Sequence, residues 1–122
     1  RIDPAAGNAR AAAGVDIVTV PETRWARVDI KTTSLIGNVL ARQAARAVGA
    51  FEAWFVDGGG TVIEGAATNA WIVTRDGRVL THPSDGRILA GVTRATVIDM
   101  LKAMAIPFEE KAFSVDEAQN AA

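Results

Sequence analysis

Apolar residues recur at steps of three and four at Leu35, Ile36, Val39, Leu40, Ala44, Ala47 and Val48, with Arg42, Gln43 and Arg46 between them. That period predicts an amphipathic helix, with Ser34 placed to cap its start and Gly49 to end it. Upstream, VDIVTV (Val15 to Val20) is rich in β-branched residues and lies between Gly14 and Pro21, which predicts a strand. RWARVDIK alternates well enough to predict a second strand ending near Lys31. Downstream, FEAWFV, the turn Asp57-Gly58-Gly59-Gly60 and TVIEG predict a hairpin. NAWIVT, Asp76-Gly77 and RVLTHP predict another. After the loop SDGRILAG, Val97, Ile98, Leu101 and Met104 mark one face of a helix that Pro107 breaks, and FEEKAFSV reads as a last strand. Val115 and Asp116 open a further helix with no capping glycine or proline behind it. Residues 1–14 are small, polar and turn-rich, and are expected to form a linker ahead of a folded unit at 15–122. Strands interleaved with helices define an α/β (mixed α+β) domain built on a mixed sheet.

Composition narrows the function classes. The 122 residues suffice for one domain with a core but are short for most complete enzymes, and 49% apolar content excludes disorder. No apolar run approaches the ~20 residues of a membrane span. The formal charge of −1, with acids and bases interspersed, leaves no electrostatic footprint for nucleic acid. Without cysteine there is no disulfide framework and no thiolate metal site; the expected location is the cytoplasm. The chain starts at Arg1, and its last residues read as the first turns of a helix. It is therefore expected to be a piece of a longer protein.

Three features carry candidate chemistry. Lys31 sits at the junction of a strand-like and a helix-like segment, where a desolvated amine becomes a nucleophile or is captured by an aldehyde. Glu64, in TVIEGAATN, ends a β-branched run beside small residues that leave room for something flat. In RILAGVTRATVIDML, Gly91, Val92 and Thr93 open a helix whose free N–H groups suit a phosphate. Each also has an ordinary structural reading: a surface lysine, a hairpin glutamate facing water, a threonine N-cap. His82, the only histidine, lies in the turn sequence THPSDG, and Trp25, Trp54 and Trp71 read as strand residues of a core or domain interface. Taken together, an amine for an aldehyde, an acid for a basic ring nitrogen and a helix start for a phosphate describe one ligand, pyridoxal 5′-phosphate.

At this point DIKTTSLIGNVLARQAARAVGAFEAWFVDGGGTVIEGAATNAWIV followed by THPSDGRILAGVTR resembles the D-amino acid transaminases. These are fold-type-IV pyridoxal-phosphate enzymes related to branched-chain aminotransferases and aminodeoxychorismate lyase. The resemblance runs from about Arg24 to the end of the chain. It implies that Lys31 binds the cofactor aldehyde and moves the proton between Cα and C4′, and that Glu64 pairs with the pyridine nitrogen. It places Leu89 on the cofactor ring, Val92 and Thr93 at the phosphate, and Arg24 just behind the site. Ala66 and Ala67 depart from the family pattern by standing where better-known members have serines; Thr68 keeps a hydroxyl. The implied activity is ping-pong transamination of D-amino acids, such as D-alanine with 2-oxoglutarate, by a homodimer. The implied architecture is part of the larger, cofactor-binding domain, without the small N-terminal domain and a later C-terminal segment. A transaminase lacking those parts is expected to be inactive. The alternatives are an L-branched-chain aminotransferase, an aminodeoxychorismate-lyase-like enzyme, or a non-catalytic α/β binding module.

Overall fold

A computed structural model describes residues 4–122. Its order is α1 (Pro4–Ala13), β1 (Ile17–Pro21), α2 (Ile36–Ala47), β2 (Glu52–Val56), β3 (Thr61–Gly65), β4 (Trp71–Val73), β5 (Val79–Thr81), α3 (Val92–Ala103), β6 (Phe108–Glu110), β7 (Phe113–Ser114) and α4 (Val115–Gln119). Among the described residues these strands form two small mixed sheets, where the sequence pattern predicted one. The first runs β1-β2-β3-β7 and the second β4-β5-β6. In each, one neighbouring pair is parallel, β1 with β2 and β5 with β6. A parallel pair needs a crossover, and α2 and α3 supply them. Each crossover helix therefore starts after a strand's C-terminal end, where an α/β fold offers a ligand crevice.

The two predicted hairpins form as expected, β2–β3 and β4–β5, both antiparallel. Asp57 closes the first turn by accepting the N–H groups of Gly59 (2.9 Å) and Thr61 (3.0 Å). The core has two parts. Phe55 and Ile63 pack with Ala41 and Ala45 of α2, while Val62, Ile72, Leu80 and Phe113 pack beneath Trp54, whose ring meets Phe113 edge-on at 5.9 Å.

Several sequence expectations are corrected. Residues 4–13 of the expected linker form a helix; six alanines and a leading Pro4 favour it. Residues 1–3 lie outside the described part. RWARVDIK is not a strand but irregular chain. Arg27 pairs with Asp29 at 2.8 Å and the Ile30 N–H turns back to the Arg27 carbonyl, so the alternation never extends. FEEKAFSV breaks into β6 and β7, which join different sheets. Leu35, not Ser34, occupies the N-cap of α2 and no side chain caps it, whereas Gly49 does end the helix, at φ 79°. The large apolar side chains of α2 face outward, Ile36 being 71% exposed, because only alanines allow its backbone to approach β2. Met104 likewise lies outside the core face of α3. The terminal helix closes within the chain: Ser114 and Glu117 form a capping box, and Asn120 caps the other end. No described helix is long and apolar enough to cross a membrane.

Candidate active site

The loops leading into α2 and α3 and the end of β3 converge on one open cleft of about 1020 Å³. Glu64 projects into it from β3. Its side chain is 7% exposed and tied down by groups far apart in sequence. Arg24 Nη1 donates at 2.5 Å, the Leu89 N–H at 3.2 Å and Asn69 Nδ2 at 3.3 Å. Burial pushes the Glu64 carboxyl above the usual range; the hydrogen bond and charge of Arg24 and the Leu89 N–H pull it back, and Glu22 adds to the rise. The expectation of a hairpin glutamate facing water is thereby excluded.

The next residue, Gly65, begins a tight turn in which its N–H donates to the Thr68 carbonyl at 2.7 Å. A Cβ there would lie 2.9 Å from that carbonyl oxygen and against the Thr68 hydroxyl, so only glycine fits. The turn carries Ala66, Ala67 and Thr68 along the cleft wall. Buried Glu52 holds it from behind, accepting the Ala67 N–H (3.2 Å) and the Thr68 hydroxyl (3.1 Å).

Lys31 lies on the irregular segment between β1 and α2, with its side chain exposed at the cleft. Arg24, on the same segment, is nearly buried, with its guanidinium 4.2 Å above the Phe55 ring. Burial opposes its charge, but the hydrogen bonds to Glu22 and Glu64 outweigh this and raise its pKa. The first turn of α2 forms an adjoining wall, where Asn38 Nδ2 donates to the Ala66 carbonyl at 2.8 Å.

The opposite wall is the start of α3. Gly91 is its N-cap, and no side chain satisfies the first N–H groups. That leaves donors at the positive end of the helix, with Val92 and Thr93 exposed at the cleft. Arg94 anchors this end by donating to the His82 carbonyl (2.9 Å) and to Glu110 (2.5 Å). His82 follows β5 and is buried, its Nδ1 3.0 Å from the Pro83 carbonyl oxygen. Asn69 links this wall to Glu64, since its Nδ2 also donates to the Leu89 carbonyl at 3.0 Å.

Lys31, Glu64, Leu89, Val92, Thr93 and Arg24 thus line a single cleft. Trp25 and Trp71 also face it, Trp25 from the irregular segment and not from a strand. Sequence reasoning missed Asn69, Asn38, Glu22 and Glu52. A polar residue directly after the Gly-Ala-Ala-Thr run was the one signal available for Asn69; the others are defined by partners that local sequence does not reveal.

An exposed lysine, a buried glutamate and the uncapped start of a helix thus surround one crevice. The chain belongs to the class IV aminotransferases, whose family profile matches residues 2–122. Among characterised relatives, it is 44% identical over 108 residues to the D-alanine aminotransferase of Staphylococcus aureus, covering 88% of this chain and 38% of that protein. The chain thus spans less than half the length of such relatives. Of solved structures, it resembles a fold IV transaminase from Curtobacterium pusillum (TM-score 0.79, 30% identity, 88% of this chain and 40% of that one). It also resembles the branched-chain aminotransferase of Thermoproteus uzoniensis (TM-score 0.78, 34% identity, 88% and 38%).

Proposed function

We propose that this chain carries the cofactor-contacting part of a pyridoxal-phosphate-dependent transaminase acting on D-amino acids, such as D-alanine with 2-oxoglutarate as acceptor. The observation that carries the reading is the convergence of Lys31, Glu64 and the α3 start on one cleft. The donor set fits the cofactor at three points. Lys31 offers an amine to its aldehyde, buried Glu64 offers a carboxylate to its ring nitrogen, and the N–H groups from Val92 onward suit its phosphate. Leu89 supplies an apolar surface for the ring, and Arg24 acts from behind by fixing Glu64. When bound, the cofactor supplies an electron-poor ring that accepts the charge left as Cα loses its proton. Lys31 would hold the aldehyde and, as a free amine, would act as general base at Cα and return the proton at C4′. Glu64 would keep a proton on the ring nitrogen.

Preference for D-amino acids over the branched-chain alternative rests on the higher identity to the S. aureus D-alanine enzyme than to the T. uzoniensis enzyme. The intact protein is proposed to work in the cytoplasm as a homodimer; the outward apolar face of α2 suits such an assembly. Borohydride reduction of the cofactor-loaded intact protein, followed by peptide mapping, tests the reading. A pyridoxyl group on Lys31 is expected. A label on Lys102 or Lys111 instead would overturn the assignment.

A further inference from the structure

Arg24 poses an electrostatic problem for the role given to Glu64. A carboxylate that is to keep a ring nitrogen protonated must present net negative charge, yet a guanidinium lies 2.5 Å from it with both side chains under 10% exposed. A one-to-one pair buried this deeply is close to neutral from outside. The arrangement behind Arg24 removes the difficulty. Glu22 accepts Arg24 Nε at 2.9 and 3.1 Å, accepts Nη2 as well, and accepts the Arg24 backbone N–H at 2.8 Å. Only Nη1 is left for Glu64. Glu22 is itself fixed by its N–H donating to the Val56 carbonyl at 2.8 Å, and it does not line the cleft.

We propose that Glu22 is a positioning residue that takes up most of the Arg24 guanidinium, so that the Glu22–Arg24–Glu64 cluster presents one net negative charge to the cleft. Two carboxylates share one guanidinium, and Glu64 is the one that lines the cleft. The other ionisable side chains on the cleft, Lys31 and Arg94, are basic residues, so no second carboxyl there can substitute. The rise that Glu22 imposes on Glu64 agrees with this sign. The inference rests on Glu64 facing the ring nitrogen, as proposed above.

The test uses E22Q, E22D and E22Q/R24M with two readouts. In the cofactor-free intact protein, carboxyl NMR follows the titration of Glu64. E22Q should lower its midpoint, because a like charge is removed and more of Arg24 becomes available, whereas E22D should leave it near wild type. In protein loaded with ring-15N pyridoxal 5′-phosphate, E22Q should move the nitrogen resonance toward the unprotonated form and reduce kcat about tenfold with KM little changed. E22Q/R24M should restore the protonated resonance, since Glu64 alone again carries the excess charge. A residue that only held Arg24 in place would not be rescued by deleting Arg24. An unmoved Glu64 midpoint in E22Q, or a double variant no better than E22Q, would overturn the inference. If wild type takes up no cofactor, the functional reading fails, and the Glu64 titration still decides the charge relation. If E22Q does not fold, the double variant against wild type decides it: a resonance far from the protonated form sinks it.

Discussion

Glu52 of β2 and Glu64 of β3 belong to one hairpin and are both buried, at 3% and 5% exposure, yet their surroundings differ. Glu52 accepts the Ala53 N–H, the Ala67 N–H and the Thr68 hydroxyl, with Arg42 Nη1 at 3.7 Å. It faces no cleft and serves to bolt the 66–68 turn to β2. Glu64 gathers donors from three separate segments, at Arg24, Asn69 and Leu89, and keeps a face on the cleft. Burial alone therefore does not separate the two acids; what separates them is that the donors of Glu64 leave it open to the cleft.

The largest contrast is expected beside Glu64. Lys31→Ala should cut turnover at least about 10³-fold, as loss of an essential general base does, while the melting temperature stays within error because the amine is exposed. Single-turnover kinetics with D-alanine, run alongside calorimetry, separate the two. Next, Glu64→Gln should lower kcat about 10²-fold or more by leaving the ring nitrogen without a charged partner. Full activity in that variant would erase the difference between the two glutamates. Glu52→Gln should do the opposite, costing about 1–3 kcal/mol of stability through mismatched buried donors and leaving kcat near wild type where the protein is folded. Urea titration checks it. If Glu52→Gln reduced kcat at unchanged stability, Glu52 would belong to the chemistry and not to the scaffold.

The smallest effect is in acid, and two acids of this hairpin should respond with opposite signs. The Thr61 N–H, followed by Arg87 and the Gly59 N–H, outweighs partial burial to hold Asp57 below the usual carboxylate range. Its stabilisation is thus present above the unfolded-state pKa of about 3.9 and is lost as pH falls through the lower folded value. Glu64 lies above its usual range, so its buried charge burdens the cofactor-free fold at neutral pH and is relieved as pH falls through the raised value. Asp57→Asn should therefore destabilise most near neutrality, with the gap to wild type closing below about pH 3.9. Urea midpoints measured across pH provide the check, and a gap independent of pH would remove Asp57 from the account.

Where the sequence pattern succeeded, local chemistry decided the structure. The Asp57-Gly and Asp76-Gly turns specify their hairpins, and the period of α2 and α3 specifies helices. It failed between Glu22 and Leu35, where strand-like alternation yields to ion pairs that bend the chain, one of them spanning 40 residues from Arg24 to Glu64. It also failed to orient α2, because periodicity reveals that a helix is two-faced but not that alanine is the face buried. For the site the division is similar. Glu64 and Gly91 stand at the ends of elements and are readable by residue type, whereas Lys31 is readable by type although the strand expected to end at it does not form. Asn69, Glu22 and Glu52 acquire their roles from tertiary partners, which no window along the chain contains.

The first turn of α2 touches the site twice, and this constrains any redesign. Asn38 grips the Ala66 carbonyl, and an added Cβ on Gly37 would sit 3.1 Å from Cγ of Arg24. An engineer who tries to reshape the cleft by enlarging Gly37 would press on Arg24, so its dimensions and its charge distribution are tied together at this point. The side of the cleft lined by Trp25 and Trp71 makes no hydrogen bond to the Glu22–Arg24–Glu64 cluster, so substitutions there should change the width of the cleft with the charges left in place. The helix start acts as a gauge block: it holds two tolerances at once, and neither can be reset alone.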